Sequence, residues 1–73
     1  MIVVRIAIID NTNGKIKKLL DSCRFSEETK AQDYINNLNF KKLIGKNRID
    51  TRFRPVLIWK NTKTDEQTIE ALD

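Results

Sequence analysis

Histidine is absent from the 73 residues, cysteine and proline occur once each, and glycine occurs twice. Each scarcity closes off a class of function. Without histidine no side chain titrates near neutrality at its unperturbed pKa, and Ser-His or Cys-His pairs for nucleophilic catalysis cannot be assembled. The lone thiol, Cys23, can neither form an internal disulfide nor supply zinc-type ligand spacing. Gly14 and Gly45 stand alone, outside any phosphate-cradling or dinucleotide-binding pattern. The longest apolar stretch, Ile2-Val3-Val4, resumes at Ile6 after Arg5 and ends at Ile9. That is far short of the roughly 20 residues that span a bilayer, and it carries none of the flanks of a secretory leader. These absences predict a non-enzymatic chain of the reducing cytoplasm, with no cofactor, no metal and no membrane contact. A single domain of this size removes only about 60% of its unfolded surface from water, so one thin core is expected rather than a deep, walled pocket.

What is present is charge, unevenly spread. Residues 1–40 carry a net +1, residues 41–63 a net +7 with Asp50 as the one acid, and residues 64–73 a net −4. Local potential, more than the overall +4, steers a partner. The bland reading of the same numbers is a solvated surface followed by an acidic tail.

Residues 2–9 form the clearest element, a β-branched run closed by Asp10-Asn11-Thr12-Asn13-Gly14. Apolar side chains occupy both faces, Ile2, Val4, Ile6 and Ile8 on one, Val3, Ala7 and Ile9 with Arg5 on the other. That pattern predicts an interior strand. The Asn-Gly step predicts a hairpin returning over 15–25. A helix competes there, because Ile16, Leu19, Leu20 and Cys23 fall at helical spacing; a bulge near Lys18-Leu19 reconciles them with a strand. A helix over 26–39 follows, with Ser26 as N-cap, Glu27 and Glu28 in its first turn, and a stripe of Ala31, Tyr34, Ile35 and Leu38. Phe40, Leu43 and Ile44 are expected to return to the core. Residues 48–54 alternate, with Ile49, Thr51 and Phe53 facing one way and Arg48, Asp50, Arg52 and Arg54 the other. Pro55 predicts an edge or a bend in that strand, which continues through Val56-Leu57-Ile58-Trp59. Thr64 and Gln67 suit a capping box, so the last ten residues are read as an acidic tail or a short helix.

Assembled, these elements predict an α+β domain over 1–63 of ββαβ type. Its sheet has three mainly antiparallel strands in the order 2-1-3, with one helix on one face. Catalytic residues are not expected. Cys23 reads as a small buried hydrophobe, and Glu27 and Glu28 read as helix-start residues. The informative constellation is Arg48, Arg52 and Arg54 on the sheet face away from the helix, joined by Arg5 and edged by Val3, Ala7 and Ile9. Arginine suits bidentate contact with carboxylate or phosphate and is enriched at interface hot spots. The competing structural reading has these arginines merely solvating that face, paired with Asp50 and Asp21. Trp59 reads as a core anchor at the end of the sheet, the alternative being an exposed hot spot beside Pro55.

Two functions compete. In the first, Arg5, Arg48, Arg52 and Arg54, with Val3 and Ile9 as apolar support, dock on an acidic surface of a protein partner. The chain then acts as an inhibitor or modulator, using the basic face and a strand edge. In the second, the 41–63 segment contacts the phosphates of a nucleic acid. The mixture of arginine with aliphatic residues favours the first, since sheet-based nucleic-acid readers stack bases on exposed aromatics. A homodimer through a strand edge is a variant of it. In style the chain resembles the small basic accessory proteins of bacteria and their phages, several of which block a host protein. That resemblance implies a modulator and carries no site residues.

Overall fold

The computed structural model describes residues 1–45 and 52–72. Their elements run β1 (Ile2–Asp10), β2 (Ile16–Phe25), α1 (Glu28–Asn37), α2 (Phe40–Ile44), β3 (Phe53–Asn61) and β4 (Glu66–Ala71). The four strands form one antiparallel sheet in the order β2-β1-β3-β4. The predicted 2-1-3 core of the sheet is present. The predicted three-stranded limit is not: a fourth strand lies outside β3.

β1 is interior, as its two apolar faces require, and Ile6 and Ala7 are both fully buried. The hairpin to β2 is the one the Asn-Gly step signals. Gly14 takes φ +71°, a conformation that L side chains rarely adopt. Gly14 N–H donates to the Asp10 carbonyl at 2.7 Å, and Asn13 Oδ1 accepts from Lys15 N–H at 2.9 Å. The pairing of β1 with β2 slips twice, between Ile6 and Ala7 and between Ile8 and Ile9. Leu20 and Lys17 are the extra residues. Those two insertions break the period of two and generate the helix-like spacing read from the sequence.

α1 keeps the predicted stripe, with Ala31 fully buried and Tyr34, Ile35 and Leu38 packed on the Ile2–Val4–Ile6–Leu57 cluster. Phe25 leaves β2 against Tyr34, ring centroids 5.2 Å apart. The N-cap differs from expectation: it is Glu27, extended and without a side-chain cap, so Ser26 lies one residue too early to serve. α2 is a separate turn of helix, capped by Asn39, whose side chain accepts from Lys42 N–H at 3.2 Å. It returns Phe40 and Leu43 to the same core.

Two expectations fail at the C-terminal end. Residues 64–72 form neither a tail nor a helix. Thr64 Oγ1 accepts from Glu66 N–H at 3.4 Å within a turn, where Asp65 has φ 60°, and the chain then pairs with β3. Glu, Gln and Ala have helix propensity, but pairing along an available strand overrides a weak local preference. Pro55 consequently sits in an interior strand, not an edge one. Its missing N–H does no harm there because Pro55 lies where β4 ends: Leu72 N–H donates to the Pro55 carbonyl at 3.0 Å, closing the ladder.

Candidate interaction face of the sheet

Strand partners share a face, so the registers map both sides of the sheet. Ile2, Val4, Ile6, Ile8, Pro55, Leu57 and Trp59 face the helices. Val3, Arg5, Ala7, Ile9, Arg54, Val56, Ile58 and Lys60 face away. The second side has its own apolar cluster of Ala7, Val56, Ile58 and Ile9, separate from the helix-side core. Among the described residues no helix packs on it.

Read in rows across the sheet, this face is graded. One row runs Arg24, Val3, Lys60, Gln67, and the next runs Ser22, Arg5, Ile58, Ile69. Arg24 and Lys60 are thus diagonal neighbours of Arg5, a relation that places Cα atoms about 7–8 Å apart. Beyond them lie Leu19, Ala7, Val56, Ala71, and then Ile16, Ile9, Arg54. Four large apolar side chains of the described chain are exposed: Met1 at 55%, Ile16 at 46%, Leu19 at 50% and Ile69 at 56%. Ile16, Leu19 and Ile69 all project from this one face. None of its paired strand residues is a carboxylate.

Of the residues singled out from sequence, Val3, Arg5, Ile9 and Arg54 are brought together here. Arg48 lies outside the described residues. Arg52 is drawn elsewhere, because β3 begins at Phe53 and the alternation does not extend back to it. Its Nη2 is 3.1 Å from Asp10 Oδ2, and its Nε donates to Oδ1 and Oδ2 at 3.3 and 3.2 Å. Arg52 is thus paired with Asp10 within the chain, and Asp50 lies outside the described residues. Thr12 completes this knot, its backbone N–H and hydroxyl donating to Asp10 Oδ1 at 2.9 and 2.6 Å. The Thr12 hydroxyl first, then Arg52 and the Thr12 N–H, lower the Asp10 pKa from 3.8 to about 2. Asp10 thereby ties the first hairpin to the start of β3, reinforced by Asn11 N–H donating to the Arg52 carbonyl at 2.7 Å.

Sequence reasoning missed Ile16, Leu19, Arg24 and Ile69. The signal was recoverable for Arg24, which follows from a simple β1–β2 register. It was hidden for Leu19 by the bulge at Leu20, and for Ile69 by the helical reading of the C-terminus; Ile16 keeps the parity of Arg24, because the second slip cancels the first. Trp59 is half-buried on the helix side and shares it with Phe53, as their parity predicts. The other described cations of 41–63 are dispersed. Lys41 and Lys42 lie on α2, Lys63 in the β3–β4 turn, and Lys60 pairs with Asp65 at 3.6 Å. Cys23 sits half-buried on the helix side opposite Val4, and burial, then Asp21, push its thiol pKa up.

The chain matches no protein-family model, no curated protein and no solved structure. Its class is set by its own geometry: a small α+β protein with an antiparallel sheet screened by helices on one side. No helix among the described residues is long and apolar enough to cross a membrane.

Proposed function

We propose that the chain is a protein-interaction module whose helix-free sheet face docks on an acidic, partly apolar surface of a partner protein, inhibiting or modulating that partner by occupying the surface. One observation carries the reading: among the described residues, three of the four exposed large apolar side chains share a face with Arg5, Arg24 and Lys60, and that face holds no strand carboxylate. Protein interfaces combine apolar area with arginine in this way. Arg5 and Arg24 lie at diagonal positions, where one anionic surface meets both, whereas Lys60 of the same face is already paired with Asp65 at 3.6 Å. Phosphate binding through 41–63 is less well supported, because its described cations point to several surfaces.

The test is charge reversal at Arg5 and Arg24 together. Both side chains are exposed, so circular dichroism and melting temperature stay close to those of the parent, while capture of the acidic partner is lost. Capture that survives the double reversal refutes the docking face. Steeply salt-dependent retention on heparin that the same variant leaves unchanged moves the reading to nucleic acid.

A further inference from the structure

The helices screen only part of their own side of the sheet. α1 packs on β1 and β2, and α2 on β2. Between α1 and the β3–β4 half lies a cleft of about 410 Å³, floored by Leu57 and Trp59, walled by Glu28, Gln32 and Ile35 of α1, and rimmed by Glu66, Thr68 and Glu70 of β4. Three of its lining residues are glutamates and none is Lys or Arg. Its charge is opposite to that of the helix-free face.

The rim of this cleft is also an open strand edge. Leu72 N–H bonds to Pro55, and in an antiparallel ladder residues alternate in steps of two between facing the partner and facing away. Glu66, Thr68 and Glu70 therefore turn their backbone groups to β3, while Gln67, Ile69 and Ala71 present theirs to the unpaired side. β4 is the outermost strand there and pairs with β3 without a slip. The other edge, β2, is blunted by its two bulges and by Lys17 and Lys18. An even row of unpaired backbone donors and acceptors is a template for one more strand.

We propose that β4 accepts an extended, basic segment of a partner as a fifth strand. The register sets its pattern. Residues beside Glu66, Thr68 and Glu70 lie on the cleft side and are Lys or Arg, with one cation over the Trp59 ring. Residues beside Gln67, Ile69 and Ala71 lie on the other side and are apolar, covering Ile69. The ligand is thus an alternating basic–apolar strand. A second copy of β4 brings a second acidic rim to this one, and when pairing is centred on Thr68 it sets Glu66 against Glu70 of the other chain. This site shares Ile69 with the helix-free face but uses neither Arg5 nor Arg24, so charge reversal at those two arginines leaves it intact.

The probe is a synthetic Lys-Val-Lys-Val-Lys-Val-Lys peptide, with a block isomer of four Lys followed by three Val as its control. Trp59 is the single tryptophan of the chain, so its emission reports the cleft directly. The alternating peptide shifts that emission and slows amide exchange at Gln67, Ile69 and Ala71, and its affinity falls as salt rises. Glu66→Gln with Glu70→Gln weakens it roughly tenfold, in the range of two exposed ion pairs. Ile69→Pro removes an outward N–H, leaves the β3 ladder whole and abolishes both readouts. Equal binding of the block isomer, or bound peptide without slower exchange at the three amides, overturns the proposal. So does sedimentation showing the chain dimeric through this edge.

Discussion

The asymmetry between the two sheet faces is open to a direct energetic comparison, Ile6→Ala against Leu19→Ala. Ile6 is fully buried under α1 beside Val4, Ala31 and Leu57, so its truncation leaves a void that the helix cannot close. Such a loss costs about 2–5 kcal/mol. Leu19 is 50% exposed in the isolated chain, so truncation forfeits only the half of its transfer energy that folding had realised, and water fills the space. That amounts to about 1 kcal/mol or less. A domain of this length is stabilised by roughly 4–11 kcal/mol in all, the small-core end being the relevant one. Ile6→Ala therefore leaves it barely folded, whereas Leu19→Ala lowers Tm by about 4–8 °C at most. Urea titration followed by Trp59 emission measures both, at protein concentrations spanning a hundredfold, roughly, to expose any mass-action term. Equal penalties refute the reasoning: they mean that Leu19 is covered in solution and that the face is not available to a partner. A Leu19→Ala penalty that grows with protein concentration identifies the cover as a second copy.

Acid unfolding tests the Asp10 knot. The folded-state pKa of about 2 lies below the ordinary 3.8, so the contribution is complete above about pH 4 and is lost as pH falls toward 2. Asp10→Asn removes that step, giving a lower midpoint in urea at neutral pH and a flatter dependence between pH 4 and 2; an unchanged pH profile counts against the Thr12 and Arg52 contacts. Cys23, its pKa raised by burial and by Asp21, stays a thiol at neutral pH and alkylates more slowly with iodoacetamide than a free cysteine peptide. Parity with the peptide disproves its half-buried placement.

Legibility from sequence followed how local each determinant is. The β1 run, the Asn-Gly reversal and the α1 stripe are short-range patterns, and each appears where the residues put it. The strand order 2-1-3 follows from a helical crossover joining two parallel strands, β2 and β3, that flank β1. β4 was not legible, because Glu66–Ala71 has few apolar residues and becomes a strand through β3's unpaired edge, a tertiary cause. Arg5, Arg54, Val3 and Ile9 were found by parity alone. Arg52 was misplaced since parity says nothing of where a strand starts, and the Asp10 carboxylate, 42 positions away in sequence, holds it. Leu19 escaped because the bulge at Leu20 shifts it to the opposite face, and the second bulge returns Ile16 to the face of Ser22 and Arg24.

Pro55 has a consequence for the accuracy of assembly. In β3 the odd-numbered backbone positions are directed at β4, and position 55 is the one that offers no hydrogen. Were β4 to slide two places so that Glu70 met Pro55, the connecting turn would tighten around Thr62 and Lys63 and a mid-strand carbonyl would lose its donor. In the native alignment the same deficit falls on Leu72, beyond the last paired residue of β4. The imino acid thus works as a stop that sorts the correct hairpin from its nearest shifted competitor.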